Sequence, residues 1–437
     1  MSSIDGSIAN TALPTFAREL GTSPAESIWV VNGFQLAVTA SLLAFAALGQ
    51  LRGPTRIYRA GVIVFVAGSL ACALARSLPV LVAARVVQGL GASAIMAISP
   101  AILRDIFPRA QLGRALGLNG VVVATSSAAG PALGGVILAV LPWPWLFAIN
   151  VPFGLANIVL NRALPQSERN RGWLDLPSVV TSALGFALTI WGLDGFARAE
   201  PEWTIAFRLI AGIAAASWFV RRQFALTRPM IALDLFRIPA FSFAGATSFA
   251  TYCAQGLAYV ALPFSFQVAL GRTPLESGLL LTSWPLAVAV VAPLAGRLSD
   301  RFPAGILATI GLAALAAGLG SYAALPAHPT GAEILWRGVL CGLGFGFFQS
   351  PNNRELIGSA PREKSASAAG LLAALRVGGQ TVGAALVAIV FGVFGASVAG
   401  AAAQHDVVAH AVPAVLWLAC VAAGLAAVVS GLRLCRS

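Results

Sequence analysis

The sequence predicts an all-α polytopic membrane protein, and three observations carry that prediction. Of the 437 residues, 58% are hydrophobic and only 10% charged, which leaves too few polar groups to cover a water-facing surface. Apolar runs of about twenty residues recur along the chain, the length that a helix needs to cross a ~30 Å hydrocarbon core. Basic residues crowd into every second gap between the runs, as in a chain whose loops alternate between two sides of a bilayer.

The runs cover 26–48, 60–76, 78–102, 115–141, 145–162, 174–196, 204–221, 240–268, 275–296, 304–325, 332–351, 366–396 and 408–432. Ahead of them Ile4 to Phe16 is apolar for only thirteen residues, too short to span. The gaps with Arg52/Arg56/Arg59, Arg104/Arg109/Arg114, Arg162/Arg169/Arg171, Arg221/Arg222/Arg228/Arg237, Arg297/Arg301 and Arg354/Arg362/Lys364, together with the tail (Arg433, Arg436), hold twenty basic residues. The intervening gaps hold Arg18, Arg76, Arg198, Arg208 and Arg272, so the first set is expected on the cytoplasmic side. That parity requires the first stretch to be the outer half of a spanning helix, with a start site assigned too far downstream as the expected cause. The consistent count is fourteen helices, the first truncated, with both termini cytoplasmic in the cell (inner) membrane.

No gap is long enough for a soluble domain, and the N-terminus has no basic n-region or A-x-A site of a cleavable signal. The longest gap, 221–239, carries Pro229 and Pro239 around Leu233 to Arg237 and reads as an amphipathic connector on the membrane surface. The expected organisation is an N-terminal bundle at 1–162, an inserted helix pair with the connector at 163–239, and a C-terminal bundle at 240–437.

Composition also excludes function classes. A net charge of +12 suggests nucleic acid only when basic residues share one soluble face, and here they are divided among interhelical loops. Five cysteines without a C-x-x-C and three scattered histidines support neither a disulfide framework nor a metal site. No nucleophile–base constellation points to an enzyme.

Three arginines fall outside the loop pattern: Arg85, Arg337 and Arg376. A charge at helix-centre depth costs at least ~2.5 kcal/mol, so each needs a partner, a wet cavity or an interface. Arg337 has Glu333 one turn earlier, and an interfacial ion pair is expected there. Arg376 can snorkel from its depth or act in function. Arg85 shares a helical face with Gln88 inside an otherwise apolar run, and a functional role is expected. Acids inside runs are rarer: Asp194 is expected at the headgroup level, whereas Asp5 would lie near mid-depth. A mid-membrane carboxylate near a cation is a natural proton carrier, and Asp5 with Arg85 is the expected couple.

Gly130-Pro-Ala-Leu-Gly134-Gly135 lies inside a long apolar run, where Pro131 removes a backbone bond and the glycines permit close helix approach. Trp29, Asn32 and Gln35 mark one face of the second helix, and Gln255 with Tyr259 mark another. For each of these, contact with substrate and hydrogen bonding between helices are both open.

These motifs together resemble the fourteen-spanner drug:proton antiporters of the major facilitator superfamily. Ile4-Asp-Gly-Ser-Ile-Ala-Asn-Thr-Ala-Leu-Pro14 resembles the first-helix signature, and Leu81 to Gly91, with Arg85, Gln88, Gly89 and Gly91, resembles the fourth-helix proton-coupling motif. Gly130 to Gly135 is similar to the fifth-helix antiporter motif. Trp145-Leu-Phe-Ala-Ile-Asn-Val-Pro152, Gly296-Arg-Leu-Ser-Asp300-Arg301 and Gly344-Phe-Gly-Phe-Phe-Gln-Ser-Pro-Asn-Asn353 complete the match in order. The resemblance implies the major facilitator fold, two six-helix bundles plus two inserted helices, with the substrate at the midplane between rocking bundles. It implies proton coupling at Asp5 and Arg85, and a substrate cavity that includes Asn10, Trp29, Asn32, Gln35, Gln88, Gln255 and Tyr259. Gly89, Gly91, Gly130, Pro131, Gly134 and Gly135 would form the conformational motif, and Asp300 with Arg301 a cytoplasmic gate. The loop Gly49-Gln-Leu-Arg52-Gly-Pro-Thr-Arg56 departs from the family's pattern by being shorter and lacking the acid.

The expected function is proton-coupled export of lipophilic, cationic small molecules, driven by the proton-motive force without cofactor or metal. The expected partners are a small lipophilic substrate, protons and the lipid bilayer, with no nucleic acid. An exporter of one metabolite or antibiotic is the alternative, and a non-transporting paralogue or sensor is the alternative of another class.

Overall fold

The structure, a computed structural model, describes residues 2–161, 164, 175–198, 200–226, 229, 231–361, 364–395 and 401–433. Arg162, Arg169, Arg171, Arg228, Arg362 and Arg436 of the loop pattern lie outside the described residues.

The described chain is helical, without strands: α1 (Ser2–Thr11), α2 (Leu13–Glu19), α3 (Pro24–Ser27), α4 (Trp29–Arg52), α5 (Pro54–Leu74), α6 (Leu78–Ile106), α7 (Arg109–Val140), α8 (Trp145–Ala148), α9 (Asn150–Leu160), α10 (Leu176–Ala197), α11 (Glu202–Ala225), α12 (Pro239–Phe264), α13 (Pro274–Leu298), α14 (Ala304–Ala323), α15 (Gly331–Gly358), α16 (Ser365–Val393) and α17 (Ala401–Leu432). Taking α1 with α2, α3 with α4 and α8 with α9 as single passes, these segments make fourteen among the described residues. Ten of the helices are long and apolar enough to cross a membrane.

Local chemistry explains the boundaries. Proline in the first turn opens α2, α3, α5, α6, α10, α12 and α13, where its missing N–H is not needed. Ser23 with Glu26, Thr273 with Glu276 and Thr330 with Glu333 form capping boxes at the starts of α3, α13 and α15. The single residue between α4 and α5 is Gly53, with φ of 92°, a conformation that costs a residue with a Cβ. The first apolar stretch is not one continuous helix: Pro14 lacks an amide hydrogen and the ladder breaks before it. Beside that break the Thr11 carbonyl accepts from Gln267 Nε2 at 2.8 Å.

α1 to α9 form one bundle and α12 to α17 the other, and they meet along two seams, α7 on α13 and α4 on α16. α10 packs on α11 and also touches both α4 and α16, so the inserted pair lies across the second seam. One continuous apolar core joins Ile8, Phe16, Ile28 and Phe147 of the first bundle to Leu257, Phe264 and Trp284 of the second. Near the arginine-rich face, a smaller cluster of Ile231, Leu235, Phe241, Leu356 and Leu371 belongs to the second bundle and connector, joined by Phe219 of α11. Large apolar side chains such as Leu286, Val290, Phe207 and Val421 remain more than half exposed on the outside, as a lipid-facing surface requires.

One sequence expectation is corrected. Arg337 does not pair with the Glu333 carboxylate, which is taken up by the Thr330 cap; its guanidinium donates to the Glu333 carbonyl at 2.7 Å and the Ser321 carbonyl at 3.0 Å. Asp194, near the end of α10, is enclosed by its partners: it is 5% exposed and accepts from Trp29 Nε1 at 2.6 Å as well as from Arg198 at 2.7 Å.

Candidate functional site

The site forms where α6 is squeezed between α4 and α5. A Cβ on Gly89 would lie 2.6 Å from the Phe34 carbonyl oxygen, and one on Gly91 would lie 2.3 Å from the Phe65 nitrogen. Both distances are impossible for a real side chain, so the two glycines let α6 approach its neighbours on both sides. This draws Arg85 and Gln88, one turn apart, into the interior, where both are fully buried.

Arg85 Nη1 is ion-paired with the Asp5 carboxylate of α1. Asp5 Oδ1 also accepts from Gln88 Nε2 and from Asn150 Nδ2, each at 2.8 Å. Arg85 Nε donates to the Val30 carbonyl at 2.9 Å, and Nη1 also donates to Gln88 Oε1 at 2.6 Å. Gln88 Nε2 reaches Ser69 Oγ of α5 at 2.8 Å. The guanidinium carbon lies 4.2 Å from the centroid of Phe34 and 5.4 Å from that of Phe147, a cation–π sandwich that substitutes for water. Breaking such a buried pair by removing one member costs about 3–5 kcal/mol, because the other charge is left uncompensated. Asp5 and Arg85 are thus brought together as expected. Gln88 is corrected: it belongs to this enclosed cluster and does not line a cavity. Asn150 and Ser69 were not expected; the signal for Asn150 was an amide in the apolar run Ala148-Ile-Asn150-Val-Pro152.

The antiporter-like glycines lie next to this cluster. A Cβ on Gly130 would meet Ser7 Cβ at 2.3 Å, and Gly134 faces Ile8 at 3.4 Å, so α7 lies directly on α1. On its other flank a Cβ on Gly135 would meet the Pro274 carbonyl at 2.8 Å, and one on Gly278 of α13 would meet the Pro131 carbonyl at 2.3 Å. The sequence Gly130 to Gly135 therefore joins α1 to the seam between bundles.

Asn10, Asn32 and Gln35 each have a buried side-chain oxygen without a hydrogen-bond partner among the described residues. Trp29 is corrected, since its indole is spent on Asp194 of α10. Gln255 accepts from Gln380 Nε2 at 2.9 Å, and Tyr259 packs edge-on to Trp284 with centroids 5.1 Å apart. Asp300 is paired with Arg354 of α15, not with Arg301, which is exposed and outside that pair. Among the described residues no group of three or more His, Cys, Asp or Glu side chains is placed to hold a metal ion.

Two helical bundles that meet along glycine-lined seams, with a buried ion pair beside one seam, define a multi-pass membrane transporter. The chain belongs to the Major Facilitator Superfamily, whose profile it matches over residues 1–176 and 244–435. It is 48% identical over 437 residues to a protein of Escherichia coli (strain K12) named uncharacterized transporter YebQ, covering 99% of this chain and 93% of that one. It is 32% identical over 383 residues to the riboflavin transporter RibZ of Clostridioides difficile (strain 630), covering 86% and 82%. It is also 32% identical over 396 residues to the multidrug resistance protein Stp of Mycobacterium tuberculosis (strain CDC 1551 / Oshkosh), covering 88% and 72%. An auto inhibited POT family peptide transporter shares the fold, with a TM-score of 0.68 at 17% identity over 100% of this chain and 95% of that structure.

Proposed function

We propose that the protein exports lipophilic small molecules in exchange for protons across the cytoplasmic membrane, with the arginine-rich face and both termini inside. One observation carries this reading: α1 holds Asp5 in the buried ion pair and, two and three residues later, Ser7 and Ile8 against the glycines of α7. Protonation of Asp5 removes the charge that Arg85, Gln88 and Asn150 surround. The movement of α1 that follows acts on the α1–α7–α13 contact and hence on the seam between bundles. A proton is thereby linked to alternating access through one short helix.

The cationic preference expected of the substrate has no exposed mid-span carboxylate to support it, because Asp5 is 1% exposed and already paired. Export of one metabolite is the second reading, favoured by a relative whose name specifies riboflavin. The test is efflux of a fluorescent lipophilic compound from cells expressing the wild type or Asp5→Asn. Efflux by the wild type that stops with an uncoupler, and no proton-dependent efflux by the variant, is the expected result. Wild-type efflux that survives collapse of the proton gradient would overturn antiport.

A further inference from the structure

Arg376 is the second arginine inside a long apolar helix, and no carboxylate among the described residues is paired with it. It stands eleven residues into the 29-residue α16, ~16 Å along a helix of ~42 Å, which is close to the centre. Among the described residues it makes no ion pair and no hydrogen bond, and its guanidinium carbon lies 5.7 Å from the centroid of the Tyr252 ring. The elements packed on α16 offer no acid at this depth. α4 and α12 contain no Asp or Glu, Glu26 belongs to the α3 cap, and Asp194 is held by Trp29 and Arg198. Glu333 is in the α15 cap, Glu355 is paired with Arg433, and Asp406 lies near the start of α17.

Arg376 is partly accessible although α16 has no lipid-facing stretch. From 370 to 392 no residue of α16 is exposed, whereas lipid-facing positions elsewhere, such as Val290 at 62%, are largely open. The opening at Arg376 therefore leads into the space between the bundles. Around it the second bundle presents amides and a phenol: Gln380 one turn along α16, bonded to Gln255, and Gln349 of α15, whose Nε2 donates to the Tyr252 hydroxyl at 3.3 Å. Asp5, the first bundle's mid-span carboxylate, is closed off by Arg85. The space between the bundles thus carries an uncompensated positive charge with donor groups beside it.

We infer that Arg376 binds an anionic oxygen group of the transported molecule, a carboxylate or a phosphate, attached to an apolar or aromatic body. The unspent guanidinium supplies a planar fork of donors suited to either group, and the cost of keeping it at mid-depth is offset when the substrate brings the counter-charge. This inference rests on the export reading and names its substrate class.

Proteoliposomes containing the full chain, with an imposed proton gradient, would be tested with four probes: 7-hydroxycoumarin-3-carboxylate, 4-methylumbelliferyl phosphate, neutral 7-hydroxycoumarin and ethidium. The expected result is gradient-driven transport of at least one anion by the wild type, a fall of roughly ten- to hundredfold in Arg376→Gln, and partial recovery in Arg376→Lys. Transport of the neutral coumarin by Arg376→Gln at the wild-type rate would show that the variant is folded. Preference for the carboxylate or for the phosphate names the source of the anionic group. Anion transport equal in wild type and Arg376→Gln would overturn the inference. Gradient-driven transport of ethidium alone would overturn it while leaving proton-coupled export standing, and no gradient-driven transport of any probe would overturn both.

Discussion

Arg85 and Arg376 are the same residue inside long apolar helices of opposite bundles, one nearer the arginine-poor face and one nearer the arginine-rich face, and their surroundings differ. Arg85 is enclosed by Asp5, Gln88, the Val30 carbonyl and two aromatic rings. Arg376 lies over one ring, is half-buried and has no ion pair or hydrogen bond among the described residues. A charge whose partner is built into the fold can respond to a proton without a substrate being present. A charge whose partner is missing is suited to recognition. On the function proposed above, coupling would belong to the first bundle and binding to the second, with the α7–α13 seam between them.

The largest expected effect breaks the comparison at its paired side. Arg85→Gln leaves the Asp5 carboxylate buried without its cation, so stability should fall by about 3–5 kcal/mol. Arg376→Gln removes one ring contact and should cost less than about 1 kcal/mol. Thermal unfolding of the two purified variants in the same detergent measures both. Equal losses would mean that Arg376 has a structural partner after all and that the contrast is false.

An intermediate effect is expected at the seam. Gly278→Val places a branched side chain where even a Cβ lies 2.3 Å from the Pro131 carbonyl, and overpacking of this kind costs about 1–3 kcal/mol. The wedge should part α7 from α13 and open the path to Asp5 without disturbing the second bundle. Modification of Asp5 by a hydrophobic carbodiimide should rise in Gly278→Val relative to wild type. An unchanged rate of modification would separate the seam from the coupling cluster and remove the link through α1.

The helical class and the apolar segments were legible because hydrocarbon thickness and loop charge act on each segment separately. The Asp5–Arg85 pair was legible only as two residues that each needed a partner; their contact depends on Gly89 and Gly91 letting α6 sink between α4 and α5. Asn150 was missed because a lone amide at the start of α9 has no periodic pattern to mark it. Trp29 and Gln88 were misassigned for a shared reason. A polar side chain on an apolar helix must satisfy its bonds somewhere, and spacing does not say whether a neighbouring helix or a cavity does so. Asp300 of the expected gate is paired with Arg354 of α15, a partner far off in sequence that spacing along the chain does not reveal.

The smallest expected effect concerns a third arginine environment, paired but open to water. Arg222 of α11 holds Asp175, just ahead of α10, through two bonds of 2.7 and 2.9 Å, with a third of each side chain or less exposed. The hydrogen bonds from Arg222 hold the Asp175 carboxyl below its ordinary value of 3.8, outweighing the opposing effect of partial burial. Because the folded value is depressed, the pair stabilises the protein above the unfolded carboxylate range near 4, and the contribution disappears as pH falls through the lower folded value. A pair this open to solvent contributes little, because water and salt screen it. The difference in unfolding temperature between wild type and Asp175→Asn should therefore be small at pH 7 and shrink toward zero as pH is lowered below 4. A difference that stayed constant with pH would show that Asp175 acts through packing and neutral hydrogen bonds. Water-exposed pairing would then no longer mark the midpoint between the enclosed charge of Arg85 and the open charge of Arg376.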